Sequence, residues 1–184
     1  MGWWRLITRM VVGFLMFGHG TQKLFGWFGG GGLADTSANM EKLGLRPGRD
    51  HAALAGVSEA TSGGLLAAGA ALPVAAALVT GVMETAVKRA HLKNGIWVTE
   101  GGYEYPLVMT AAVLTLAEGG AGRFSIGRRL GLDQRGSDWA ALAFGVGSLG
   151  AWVVDGLAQR GLPSAIDWVE DHRPHPSLIG DQAA

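Results

Sequence analysis

Five apolar runs, separated by charged or glycine-rich segments, constrain the fold of this chain most strongly. A hydrocarbon core about 30 Å thick needs roughly 20 helical residues, and most of the runs approach that length. They cover about residues 10–28, 52–72, 74–90, 105–119 and 139–157. The last run is apolar nearly all round, which is typical of a span rather than of an amphipathic surface helix. The pattern predicts an all-α, polytopic transmembrane protein.

Composition supports this class and excludes several kinds of chemistry. Charged residues make up 16% of the chain, against about 25% in soluble globular proteins. The 31 glycines among 184 residues suit membrane helices that pack closely through small residues. Fifteen basic and fifteen acidic residues leave no net charge to attract nucleic acid. The absence of cysteine excludes disulfides, thiol catalysis and cysteine-bound zinc or iron–sulfur clusters.

The runs divide the chain into three predicted parts. Residues 1–130 form a four-helix membrane domain, residues 131–158 a linker and an additional transmembrane helix, and residues 159–184 a polar tail, poorly ordered towards its end. Pro73 marks the turn of a tight hairpin between the second and third runs, and residues 29–51 are expected to be a loop. A signal peptide is the competing interpretation of the first run, but no A-x-A-like cleavage site follows it.

The ends of the spans indicate how the chain lies in the membrane. Trp3, Trp4, Arg5 and Arg9 precede the first run and are interpreted as an interfacial anchor, with aromatic rings at the headgroups and cations towards water. Six basic residues fall on each predicted side of the membrane. Four of the arginines are concentrated in the short connection 123–137, so this side is assigned to the cytoplasm, together with the N-terminus.

Polar residues collect in one half of the predicted bundle. An ionisable residue at the centre of a span costs about 2.5–3.5 kcal/mol on insertion scales, so each needs an explanation. Helical spacing puts His19, Gln22, Lys23 and Gly26 on one face of the first helix. It does the same for Glu59, Ser62 and Gly63 on the second helix, and for Thr80, Glu84, Lys88 and His91 on the third. Antiparallel threading then brings these faces, with Glu104, into the extracytoplasmic half.

Each of these residues also has a purely structural interpretation. Lys23 and Lys88 can snorkel to the interface, and Glu84 and Lys88 have the spacing of an ordinary i, i+4 helix pair. His19 and Glu59 can satisfy each other through an interhelical hydrogen bond. Gly13 and Gly20 are predicted to be helix contacts.

A short segment at the end of the first run resembles a known family. Residues 18–30, GHGTQKLFGWFGG, are similar to the signature of the DoxX family of small bacterial and archaeal membrane proteins. Weaker matches are Glu59 with Gly63 and Gly64, Met83, and Gly120-x-Gly122-Arg123-x-Ser125. The chain departs from the family pattern at Ala121, where a proline is usual, and at Gly127, where an aspartate often follows the serine.

The resemblance implies a fold, a location and, for some relatives, a role. It implies a DoxX-like transmembrane four-helix bundle in a bacterial or archaeal inner membrane, with residues 139–157 as an added fifth C-terminal helix. Some relatives are membrane subunits of a thiosulfate–quinone oxidoreductase. The expected partners are membrane lipid, a quinone or other small molecule and a redox subunit. A homo-oligomer is a further candidate assembly for this chain.

The residues can be assigned roles in a site that binds a membrane quinone without a covalent bond, and no covalently bound cofactor is predicted. His19 and Glu59 are the catalytic candidates, because an imidazole and a carboxylate can relay protons to a quinone. Gln22 and Lys23 are candidates to bind a quinone carbonyl, Trp27 to stack on the ring, and Glu84 and Lys88 to complete the site. An anion such as thiosulfate would suit Lys23, Lys88 and Arg89. Because the sequence shows no flavin motif, cluster ligands or haem pair, the chain is predicted to be a subunit rather than a complete enzyme.

The alternative function is a non-catalytic scaffold or a transporter-like bundle, because charged residues inside membranes mark pathways as often as catalysis. No serine or aspartate accompanies a histidine in a recognisable nucleophile arrangement, which argues against a hydrolase. No metal site is predicted. His172 and His175 have loose metal-ligand spacing, and chance explains it better because no further ligand is in view.

Overall fold

The computed structural model describes residues 2–161 and 163–171, and these residues form helices and connecting turns without any strand. The all-helical prediction is therefore confirmed for this part of the chain. The α-helices are α1 (Trp3–Phe25), α2 (Gly32–Lys42), α3 (Gly48–Ala68), α4 (Leu72–Ala86), α5 (Glu104–Gly119), α6 (Ile126–Arg129), α7 (Ser137–Gln159) and α8 (Ala165–Asp171).

Helices α1 and α3 pack antiparallel and very closely, because glycines face each other across the contact. Gly13 of α1 lies on the backbone of Gly63, where an added Cβ would come within 2.8 Å of the Gly63 carbonyl oxygen. Two turns further along α1, Gly20 lies against Gly56 in the same way. The predicted role of Gly13 and Gly20 as helix contacts is confirmed.

The hairpin between α3 and α4 is formed as predicted. Gly69 ends α3 in the left-handed conformation, with φ of 65°, which glycine adopts without the steric cost of a Cβ. Pro73 lies in the first turn of α4, where the missing amide hydrogen removes no helical hydrogen bond. Helix α4 then continues directly into one π-helical turn, Val87–His91.

Helix α4 is the central element, because it contacts α3, α5 and α7. Helices α4 and α7 run parallel. Gly81 of α4 meets Gly147 of α7. Lys88, seven residues after Gly81, reaches Asp155, which lies eight residues after Gly147. The buried apolar core lies between α1, α3, α4, α5 and α7. It includes Met16, Leu66, Val79, Val113 and Leu116.

Three short helices, α2, α6 and α8, lie in segments that the sequence does not predict to be helical. Helix α2 occupies the expected loop 29–51 and packs on α3. All eleven of its residues remain at least partly accessible, so its composition is mixed and polar and gives no apolar run that would predict a helix. Helix α8 lies in the polar tail, where Arg49 binds Asp167 and Glu170 and Asp50 accepts hydrogen bonds from Ser164, Ala165 and Ile166. The tail beyond residue 171 lies outside the described residues.

Arg9 departs from its predicted position in an interfacial anchor. It is completely buried, and its Nη2 donates a hydrogen bond of 2.6 Å to the carbonyl oxygen of Phe124. The neighbouring Arg5 is exposed and donates to the carbonyl oxygen of Gly119. Both arginines therefore hold carbonyl groups at and after the end of α5. Trp3, Trp4 and Arg5 are exposed as the predicted anchor requires, and Arg9 is not.

Within the described residues, one helix is long and apolar enough to cross a membrane, α7, which corresponds to the predicted fifth run. Helices α4 and α5 have 15 and 16 residues, or about 22–24 Å at 1.5 Å per residue. Helices α1 and α3 have sufficient length, at 23 and 21 residues, but carry charged residues.

Candidate functional site

An ion pair between α1 and α3 is the centre of the candidate site. The Nζ of Lys23 lies 2.6 Å from the Oε2 of Glu59. The carboxylate side chain is only 4% exposed, whereas that of Lys23 is 26% exposed. A buried carboxylate needs a partner because desolvation of an unpaired charge costs several kcal/mol. Lys23 supplies that partner from the last turn of its helix.

His19 lies one turn before Lys23 on the same face of α1. Its ring meets the ring of Tyr105 edge-on, with centroids 5.9 Å apart and an interplanar angle of 65°. The partner that the structure gives Glu59 is thus Lys23, and the alternative of a His19–Glu59 hydrogen bond is replaced by this ring contact. Tyr105 is not among the site residues predicted from the sequence, although its position at the start of the fourth apolar run, beside Glu104, is a usable signal.

Gln22 and Trp27 belong to the turn that ends α1 rather than to the ion pair. Gly26 ends the helix with φ of 73°, and the Nε2 of Gln22 then donates to the carbonyl oxygen of Phe28 at 3.3 Å. The ring of Trp27 is 52% exposed and lies between the rings of Phe25 and Phe28. Both residues lie at the same end of α1 as the site, but neither lines the groove described below.

Glu84 and Lys88 turn towards α7 instead of towards α1. The Oε1 of Glu84 accepts a hydrogen bond of 2.5 Å from Ser148, and the Nζ of Lys88 lies 2.9 Å from a carboxylate oxygen of Asp155. These contacts replace the i, i+4 pair that their spacing suggested. The expectation that both side chains join His19 and Lys23 at one site is therefore not met by the geometry, since both are bound to residues of α7.

The groove lies between α3 and α7, and α4 forms its floor. Its volume is about 620 Å³, and most of its lining is apolar. Polar side chains from three elements also line it, among them Lys23 of α1, His51 and Glu59 of α3, and Arg89 of the π-helical turn. Lys23 and Glu59 therefore join the groove to the side where His19 and Tyr105 lie.

The cations near the groove are neutralised by carboxylates. Arg89 donates through Nε to Asp155 at 2.6 Å, and the same aspartate binds Lys88. Lys23 is paired with Glu59. The three cations that were expected to suit an anion such as thiosulfate are therefore all compensated. In the sequence, Asp155 is a single charge within an apolar run. Its position seven residues after Ser148 is the feature that could have predicted its contact with the basic residues of the preceding helix.

No group of three or more histidine, cysteine, aspartate or glutamate residues in the described part of the chain could hold a metal ion. His172 and His175 lie outside the described residues.

Comparison with known proteins gives one match. Residues 4–92 match the family model described as DoxX. The matched region contains α1 to α4, with both members of the Lys23–Glu59 pair, and ends before α5 and α7. No curated protein and no solved structure matches the chain.

Proposed function

Because residues 4–92 of this chain match the model of the DoxX family of membrane proteins, we propose that the protein spans the cell membrane several times and binds a membrane quinone beside Lys23 and Glu59. In this role it is a membrane subunit of an oxidoreductase complex, of the thiosulfate–quinone type that the family resemblance implies. Electrons reach the quinone from a partner subunit, because the sequence has no cysteine for an iron–sulfur cluster.

Two features support the multi-pass topology. Exposed aromatic residues occur at both ends of the helices, as membrane interfaces favour. Trp3, Trp4, Phe124 and Trp139 are at one end, and Phe25, Trp27 and Trp97 are at the other. In addition, α4 and α7 run parallel, which agrees with a chain in which α4 and α7 cross in the same direction and α5 crosses back between them.

The observation that carries the quinone proposal is the buried ion pair at the edge of a large apolar groove. A quinone has an apolar chain and a ring with two carbonyl oxygens, and ligand sites of this kind are mostly apolar with a few placed polar groups. The ammonium group of Lys23 can donate to a carbonyl oxygen. His19 lies one turn before Lys23 on α1, and Glu59 is the partner of Lys23 on α3. Both side chains can exchange protons with a bound quinone ring.

Quinone that remains bound through purification in mild detergent tests this proposal. The wild type is compared with His19→Ala, Glu59→Gln and the control His91→Ala, which removes the same residue type from the loop end of α4, and quinone per protein is measured by mass spectrometry. We expect the wild type and His91→Ala to retain quinone. His19→Ala and Glu59→Gln should bind it about ten- to a hundredfold more weakly, as expected when an interaction with a charged group is lost.

Equal quinone in all four proteins, or none in the wild type, would contradict the proposal and favour the scaffold or transporter alternative. Oxidoreductase activity provides a second measurement when the redox subunit co-purifies. In that complex, His19→Ala should reduce quinone turnover while leaving the amount of bound partner unchanged.

A further inference from the structure

Helix α7 forms a complete wall of the groove, although it lies outside the region that matches the family model. Its residues line the groove from its first turn to its last third, including Trp139, Leu142, Val146, Gly150 and Val154. The opposite wall comes from α3, through residues such as Leu54 and Ser58. Without α7, the outer face of α4 would be open on that side.

The dimensions of the groove indicate a long and narrow occupant. Pro73 and Ala90 both line it, and 17 residues at a rise of 1.5 Å correspond to about 25 Å along α4. This is most of the thickness of a hydrocarbon core of about 30 Å. An occupant of this groove therefore lies along the helices rather than across them.

The charges at the groove select against an anionic or cationic head group. The charged residues of its lining are Lys23, Glu59 and Arg89, and all three lie towards the end where α1 and α4 finish. Lys23 neutralises Glu59, and Arg89 is held by Asp155. The electrostatics thus suit a molecule with an uncharged polar head at this end and a long hydrocarbon chain towards Pro73.

We infer that the groove between α3 and α7 holds the hydrocarbon chain of the quinone, and that α7 makes the protein selective for long-chain quinones. The inference rests on the proposed function, because the head of the same molecule occupies the Lys23–Glu59 site. The groove is continuous with that site through the two side chains of the ion pair. Affinity should therefore rise with chain length until the groove is filled.

Two glycines of α7 allow a matched test. Gly150 lines the groove, and a Cβ at this position would have no atom within 4 Å, so a larger side chain enters the groove without a collision at its base. Gly145 has the same open surroundings but is not part of the groove lining. Gly150→Leu fills the groove, and Gly145→Leu controls for the added apolar side chain on the same helix.

The experiment measures the binding of a quinone with a long isoprenoid chain and of the same ring with a single isoprene unit. Gly150→Leu should weaken binding of the long-chain quinone about tenfold, the loss expected when two buried methylene groups leave the groove. It should not change binding of the short-chain quinone. Gly145→Leu should match the wild type for both ligands, and the melting temperatures of the two variants should agree.

The outcomes separate this inference from the proposed function. If Gly150→Leu binds the long-chain quinone as tightly as the wild type, or if the wild type does not prefer the longer chain, the groove assignment is wrong and the ring site stands. If the wild type binds neither quinone, the proposed function itself fails. Loss of co-purified phospholipid from Gly150→Leu, with quinone binding unchanged, would assign the groove to lipid and overturn the inference.

Discussion

At the scale of single residues, Arg9 shows how a charged side chain can be retained in the interior of this protein. Its side chain is completely buried, and Nη2 donates to the carbonyl oxygen of Phe124. Nε and Nη1 have no hydrogen-bond partner among the described residues. Its guanidinium lies beside Gly69 at the end of α3, where the carbonyl end of the helix dipole favours a cation. Arg9 thus connects the ends of α3 and α5 to the start of α1.

We expect Arg9→Met to destabilise the protein by about 1–3 kcal/mol, the cost of leaving a buried hydrogen-bonding group without its partner. Arg129→Met is the control, because Arg129 is exposed at the end of α6. Thermal unfolding in detergent measures the difference. Equal melting temperatures for both variants would show that the buried arginine contributes nothing to stability.

The Lys23–Glu59 pair allows a second prediction at this scale. Lys23→Met leaves the nearly buried carboxylate of Glu59 without its cation, which should cost about 3 kcal/mol of stability. The double variant Lys23→Met with Glu59→Gln should recover part of that loss, because the uncompensated charge is gone. A double-mutant cycle measured by thermal unfolding tests the coupling. Additive effects of the two substitutions would contradict the pairing.

At the scale of helices, the close contact of α1 with α3 depends on glycine at particular positions. A Cβ on Gly63 would come within 2.6 Å of the Gly13 carbonyl oxygen, whereas a Cβ on its neighbour Gly64 would meet nothing within 4 Å. The contact brings Lys23 and Glu59 together, because a wider separation of the helices would increase the distance between their side chains. The glycines thus support the site without touching a ligand.

Gly63→Leu should therefore separate α1 from α3 and destabilise the protein by about 1–3 kcal/mol or more, as overpacking of an interior does. Gly64→Leu should leave stability unchanged or raise it, since leucine is the better helix former. The two melting temperatures provide the comparison. We also expect quinone retention to fall in Gly63→Leu alone, and equal behaviour of the neighbouring variants would exclude the close contact.

At the scale of the whole molecule, the proposed topology assigns each loop to one side of the membrane. The chain has no cysteine, so a single introduced thiol reports its own position without background. Lys93 lies between α4 and α5, and Arg129 lies at the end of α6, between α5 and α7. Both residues are exposed, and neither lines the groove.

With the N-terminus in the cytoplasm, Lys93→Cys should react with a membrane-impermeant maleimide on intact cells. Arg129→Cys should react only after the membrane is permeabilised. The reverse pattern would invert the topology, and labelling of both thiols on intact cells would contradict a membrane crossing by α5. Labelling of each purified protein in detergent confirms that both thiols are reactive.

The sequence by itself determined the properties that depend on neighbouring residues. Apolar runs and their breaking residues predicted the five longer helices and the hairpin at Pro73, because helix formation and termination depend on local spacing, glycine and proline. It also excluded cysteine chemistry, and the segment at residues 18–30 indicated the family that the comparison supports. The short, polar α2 and α8 escaped prediction because their helicity depends on packing and on the contacts of Arg49 and Asp50.

Only the tertiary structure decided which side chains meet across helices. Lys23, rather than His19, binds Glu59; Glu84 and Lys88 face α7; and Arg9 is buried instead of facing water. Helical spacing determines which residues share a face of one helix, but the rotation and depth of that helix against its neighbours depend on packing along its entire length. Positions such as Gly13 and Gly63 determine how closely the helices approach, and hence which polar groups are within reach of one another.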